Sequence, residues 1–240
     1  MRFQRVLRPP PVHRRKAPHV TLAPSDALSK QGLIHWADPH QPFDRSVLDS
    51  AGGFVWWYCD HVDEQGNGFV CIWSFGLPFL PDLLSEAREG RPVPPRRRPS
   101  VNLALYERGK PVFYLLQEYP EQAARWGDNE VRLGASRFTT ARRDGRVQMH
   151  AELDLPVPRS RDRLVGQFTL HAAQLQAGGE TGGDHLWSAV CGPARVQANF
   201  RCGDQHYDYR GMAYHDRNCG HSPFSNLGIA RWTWGRVVHE

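Results

Sequence analysis

The 240-residue sequence predicts an all-β fold, an antiparallel barrel or sandwich. Period-two alternation of apolar and polar residues recurs along its middle and end, helical periodicity barely appears, and turn signals punctuate the alternating runs. In Val147-Gln148-Met149-His150-Ala151-Glu152-Leu153-Asp154-Leu155 every odd position is apolar and every even one polar, the pattern of a strand with one face buried. Ala194 to Arg201 repeats it, with Ala194, Val196, Ala198 and Phe200 on one side and Arg195, Gln197, Asn199 and Arg201 on the other.

Taken in chain order, residues 1–30 read as a basic, proline-rich, disordered leader, and no element is assignable before residue 50. Strands are expected at 53–60, 68–75, 101–107, 111–117, 147–155, 163–170, 194–201, 206–213 and 229–237, within a β domain spanning 31–225. Glu64 to Gly68, Arg108-Gly109, Arg143-Asp144-Gly145 and the Gly178 to Asp184 run supply the turns. Residues 79–90 alone look helical, with Leu80, Leu83, Leu84 and Ala87 on one stripe and Gly90 as a stop. The proline-arginine segment 91–100 reads as a solvated loop.

Charge and cysteine usage narrow the function classes. The formal charge is +5, but Arg2, Arg5, Arg8, Arg14, Arg15 and Lys16 precede the first acid, Asp26, so the remainder carries no basic excess and nucleic acid is not an expected partner. The leader suits, at most, peripheral contact with an anionic membrane surface. Cys59, Cys71, Cys191, Cys202 and Cys219 are odd in number and scattered, and no apolar export segment precedes them, which points to reduced thiols and a cytoplasmic protein. No uninterrupted apolar run is long enough for a transmembrane helix.

Chemistry is expected in Gly211-Met212-Ala213-Tyr214-His215-Asp216-Arg217-Asn218-Cys219-Gly220, where titratable and hydrogen-bonding groups crowd together. This cluster is expected where a strand ends, because scaffolded loops concentrate functional groups. Tryptophans form a second anomaly: Trp57 faces opposite to Trp56 and Tyr58 on one strand, and Trp232 and Trp234 share a face near the end of the chain. They suit either core filling or an apolar ligand cavity.

Five strings give the chain a family resemblance: Gly52 to Asp60, Val101 to Tyr106, His185-Leu186-Trp187, Gly211 to Gly220, and Arg231 to Arg236. In that order they resemble the carotenoid 1,2-hydratases, also called hydroxyneurosporene synthases. The resemblance implies a lipocalin-like (calycin) fold and a cofactor-independent hydro-lyase. Such an enzyme adds water across the terminal double bond of an acyclic carotenoid or related terpenoid, an apolar small-molecule substrate. The family's functional His-x-Trp and Tyr-x-Asp pairs fall on His185 and Trp187 and on Tyr214 and Asp216. Asp216 is the expected acid, Trp187 and Tyr214 the cation-facing rings, and His185 the partner of the water. Trp57, Asn218, Trp232 and Trp234 are expected to bind substrate. The chain departs from the family at Cys219, where tryptophan is usual, and at Pro99-Ser100-Val101, near which a histidine is common. The resemblance also implies a second lipocalin-like domain, so residues 226–240 are expected to form the first strand of a truncated one.

Three further readings compete: a carrier of apolar ligands on the same barrel, a lipocalin-like cyclase or isomerase of terpenoids or polyketides, and a zinc site. The last would use Cys202-x3-His206 and His215-x3-Cys219, though no tight CxxC pair accompanies them, and the favoured expectation is no metal. A serine hydrolase is disfavoured because no GxSxG elbow occurs.

Overall fold

A computed structural model describes residues 34–80, 82–173, 175, 178–179, 183–227 and 235. The leader at 1–30, the strand expected at 229–237 with Trp232 and Trp234, and most of the segment 226–240 lie outside the described residues.

The described residues are almost entirely antiparallel sheet. After β1 (His35–Trp36) come β2 (Phe54–Val62), β3 (Gly68–Phe75), β4 (Pro99–Glu107) and β5 (Lys110–Glu118). Three short strands follow, β6 (Ala124–Trp126), β7 (Glu130–Leu133) and β8 (Ser136–Arg143). Four long ones complete the sheet: β9 (Arg146–Pro156), β10 (Arg163–Ala173), β11 (Leu186–Cys202) and β12 (Gln205–Gly220). Their spatial order is β5-β4-β3-β2-β12-β11-β10-β9-β8-β7-β6, two meanders joined where β2 pairs with β12. β1 lies off this path and pairs in parallel with β11 at Leu186 and Trp187.

Curling of the sheet into a half-barrel brings its two ends onto one core. Trp57 and Trp73 both meet Phe138 of β8, with ring centroids 5.4 and 5.3 Å apart, and Phe75 meets Trp126 of β6 at 5.3 Å. Deeper in, Phe69 packs on Phe168 and Phe200. Each such side chain, fully buried, contributes about 1.5–3 kcal/mol relative to exposure. The inner face is therefore filled with side chains, and the two readings of the tryptophans separate by face: Trp57 and Trp73 fill the core, whereas Trp56 and Trp187 lie outside it.

The sequence reading holds where one face meets water. β9 and β10 alternate as expected, β3 spans Gly68–Phe75 as expected, and β2, β4 and β5 differ by one or two residues at their ends. β6, β7 and β8 were not expected, because runs of three or four residues and an arginine-rich outer face give too little alternation to detect. The helix is shorter than its apolar stripe suggested: α1 covers Leu83–Arg88 only. The polar cluster is also corrected, since Gly211 to Gly220 continues β12 rather than ending it. Within it Ala213–Gly220 lies between β11 and β2 and pairs on both edges, with an irregularity in the β11 ladder opposite Tyr214.

No helix among the described residues is long and apolar enough to cross a membrane, which says nothing of crossing by strands. All five cysteines are free.

Candidate functional site

β12 presents alternate side chains to opposite faces of the sheet. Ala213, His215, Arg217 and Cys219 turn toward the side that holds the main core, while Tyr214, Asp216 and Asn218 share the outer face. Register adds neighbours to that outer face. Tyr214 pairs with Asp60, Asp216 with Tyr58, and Asn218 with Trp56 on β2; on β11, Trp187 pairs with Asn218.

These side chains make one hydrogen-bonded network around Asp216. Trp187 Nε1 donates to Asp216 Oδ2 at 2.8 Å and Tyr214 OH donates to the same oxygen at 3.0 Å. Asn218 Nδ2 donates to Oδ1 at 2.9 Å. Asn218 Oδ1, which can only accept, lies 2.8 Å from His185 Nε2, so the imidazole carries its proton there. The four residues marked by the resemblance, His185, Trp187, Tyr214 and Asp216, thus converge, together with Asn218.

Close packing explains the precision. Leu186 and Trp187 are held on one edge by β12 and on the other by β1, whose flanks bond as His35 N to His185 O and Ala37 N to Trp187 O, both at 2.8 Å. A Cβ on Gly220 would stand 2.2 Å from Asp184 O, and one on Gly192 would stand 2.7 Å from the Tyr214 ring. Glycine at both places lets the chain before His185 approach β12 and the tyrosine lie down on β11.

Electrostatics follow from burial. Asp216 is only 4% exposed. Desolvation pushes its carboxyl from 3.8 up to about 7, against the lowering effect of the Trp187, Tyr214 and Asn218 hydrogen bonds and with a further push from the Asp60 charge. Burial likewise moves the Tyr214 hydroxyl well above its ordinary value and the His185 imidazole below its own, so both are neutral at pH 7. The arrangement is a carboxyl able to hold a proton near neutral pH, ringed by aromatic faces. Half-buried Tyr214, Trp187 and Tyr58 give it an edge toward the surface, where Trp36 packs edge-on against Trp187 at 5.1 Å. A second apolar cluster of Phe54, Trp56, Leu77, Leu80 and Leu227 adjoins it, and His185 meets Phe54, Trp56 and Phe224 edge-on.

Trp57 is not brought to this face. It lies in the inner core between Phe43 and Phe138, and its neighbour Trp56 takes the outer position. Tyr58 and Asp60 also join the outer face unannounced, with Tyr58 OH donating to Asp60 Oδ2 at 3.0 Å. The signal was present: Tyr58-Cys59-Asp60 repeats the Tyr-x-Asp spacing of Tyr214-His215-Asp216.

The zinc reading meets a geometric objection. His215 and Cys219 stand four residues apart on an extended strand, about 13 Å, and among the described residues no three His, Cys, Asp or Glu side chains gather as a metal needs. Burial lowers the His215 imidazole to about 4, and its Nδ1 donates to Tyr58 O at 2.8 Å.

Comparison with known proteins places this geometry in context. The family model described as carotenoid hydratase CrtC matches residues 86–240. A hydroxyneurosporene dehydrogenase from Chlorobaculum tepidum is 28% identical over 215 residues, covering 79% of this chain and 55% of that protein. The acyclic carotenoid 1,2-hydratase of Rubrivivax gelatinosus is 27% identical, covering 82% of this chain and 47% of its own length. The enzyme of the same description from Thiocapsa roseopersicina is 26% identical, with 78% and 45% covered. The chain spans about half the length of the curated relatives it matches. Among solved structures, a putative AttH from Nitrosomonas europaea aligns at a TM-score of 0.42 and 17% identity, covering 76% of this chain and 57% of that one.

Proposed function

The chain belongs to the carotenoid hydratase family CrtC, and from that premise we propose that its site adds water across the terminal C=C bond of an acyclic carotenoid or related terpenoid. The observation that carries this reading is the buried Asp216 carboxyl, raised to about 7 and held among Trp187, Tyr214 and Asn218.

Water does not add to an unactivated trisubstituted alkene until the alkene is protonated. Asp216 gives its proton to the less substituted alkene carbon, which leaves a tertiary carbocation on the other. Trp187 and Tyr214 meet that cation with the negative faces of their rings, worth up to about 2 kcal/mol each when desolvated. Water then attacks the tertiary carbon. The added water then gives up a proton to a carboxylate or to solvent, and no step of this sequence calls for a cofactor.

His185 takes a different part from the water partner expected of it. It is fully buried and is linked to Asp216 through Asn218, so it acts as a positioning residue that fixes the amide and, through it, the carboxyl. Asn218 holds Asp216 rather than the hydrocarbon. Trp56 and Phe224 provide apolar surface beside the site, and Phe79, 56% exposed, lies next to both and extends it outward. A carotenoid partitions into membranes, and such an outer-face site receives it by peripheral contact with the bilayer.

The test uses purified chain with lycopene or neurosporene in detergent, assayed for the 1-hydroxy product, alone and mixed with the C-terminal half of one of its relatives. Product in either mixture, absent with Asp216→Asn, is expected. Carotenoid retention without product in both would replace the hydratase by a carrier of apolar ligands.

A further inference from the structure

Hydration needs a base as well as an acid, because the attacking water must lose a proton. The outer face of the sheet holds a second carboxyl, Asp60, in a setting that mirrors the first. β2 and β12 run antiparallel, with Tyr58 opposite Asp216 and Tyr214 opposite Asp60. On each strand the tyrosine hydroxyl donates to the aspartate two residues on, Tyr58 to Asp60 and Tyr214 to Asp216, both at 3.0 Å. The two Tyr-x-Asp units are thus related by an approximate two-fold axis between the strands, and their four polar ends share one face.

From this juxtaposition, and resting on the hydratase reading, we propose that Asp60 is the catalytic base that takes the proton from the attacking water, with Tyr58 positioning it. Asp60 and Asp216 are diagonal neighbours across the ladder, a relation that sets their backbone positions about 7–8 Å apart on one face and leaves their side chains within reach of a shared small molecule. Paired carboxyls at about 6.5–9.5 Å leave room for one water between an acid and a base, as inverting glycosidases show. Their surroundings divide the roles. Asp216 is buried and Asp60 half-buried, and the charge on Asp60 favours the protonated form of Asp216. Titratable groups near Asp60 include Tyr58 and Cys59 on its own strand and Tyr214 and Asp216 on β12, while its partner on β3 is Val70.

The step balances. The alkene π pair takes the Asp216 proton and forms a C–H bond, leaving Asp216 ionised. A water lone pair forms the C–O bond at the tertiary carbon. One O–H bond of that water breaks, and its proton goes to the Asp60 carboxylate. After product leaves, solvent carries the proton from Asp60 back to Asp216. The sum is alkene plus water giving a tertiary alcohol, with no oxidant or reductant.

Asp60→Asn, Asp60→Glu and Tyr58→Phe, compared with wild type, test the assignment through the pH profile of kcat, KM and carotenoid binding. A catalytic base predicts that Asp60→Asn lowers kcat by about 10²-fold at every pH, with KM and binding unchanged, and that Asp60→Glu restores part of it. Tyr58→Phe falls between. A purely electrostatic role predicts instead that Asp60→Asn keeps the full plateau kcat and shifts only the alkaline limb to lower pH, and that outcome overturns the proposal. Should Asp60→Asn fail to fold, Asp60→Glu decides: a base displaced by one methylene predicts a folded variant with lowered kcat and an unshifted profile, whereas a folded variant with full wild-type kcat, as a charge alone would give, overturns the proposal. A wild-type chain that makes no product overturns this assignment and the hydratase reading together, whereas an active wild type with a fully active Asp60→Asn overturns this assignment alone.

Discussion

Trp187 Nε1 and Asp216 Oδ2 stand 2.8 Å apart, a hydrogen bond that joins β11 to β12 and aims an indole at a buried carboxyl. It stabilises the ionised form of that carboxyl while burial favours the neutral one, and burial wins, since the group rises to about 7. Four predictions follow from that balance and from the packing around it.

Asp216→Asn separates stability from turnover. The folded-state value of about 7 lies above the ordinary 3.8, so the native state holds the proton more tightly than the unfolded chain. Stability from this group is full below about pH 4 and is lost as pH rises through about 7. The variant keeps shape but cannot ionise, so its Tm relative to that of wild type should be more favourable at pH 8 than at pH 4. Hydration should fall at least about 10²-fold while carotenoid binding persists. Thermal melts at the two pH values and a product assay check both halves.

Tyr214→Phe removes one donor to Asp216 Oδ2 and retains the aromatic face. The lost bond favoured the ionised carboxyl, so the alkaline limb of the activity profile should move to higher pH. Loss of plateau activity should be smaller than in Asp216→Asn, because a ring still faces the cation. A kcat profile from pH 5 to 9 decides. Trp187→Phe should behave alike.

Asn218→Leu cuts the link between His185 and Asp216 and takes one buried hydrogen bond from each. Each lost bond should cost about 1–3 kcal/mol. Denaturant unfolding should show the loss, and hydration should fall with it because the carboxyl is no longer held in place.

Cysteine chemistry should be silent. Cys59, Cys71, Cys191 and Cys219 are buried, and burial raises each thiol, Cys219 to about 11. Cys219 is a packing residue of the core rather than a nucleophile. Titration of native protein at pH 7 should find Cys202, half-buried, as the fastest thiol, with the other four reacting only on unfolding.

The sequence determined what local pattern can encode. Strands with one wet face, such as Arg146–Pro156 and Arg163–Ala173, were readable because alternation records a single buried side. The Tyr214, Asp216, His185 and Trp187 set was readable from its family strings. Alternation faded where it mattered most: in Phe54–Val62 and Ala213–Gly220 the runs Phe54–Trp57 and His215–Gly220 are buried on both faces, which erases the period of two there. Tertiary structure alone decided that these two stretches, distant in the chain, pair in the register that sets Tyr58 against Asp216 and Asp60 against Tyr214. It also decided that Trp56 rather than Trp57 faces the site, since a shift of one residue along a strand exchanges the two faces. The raised Asp216 carboxyl belongs to the same class, because burial and a neighbouring charge exist only once non-local strands have closed around it.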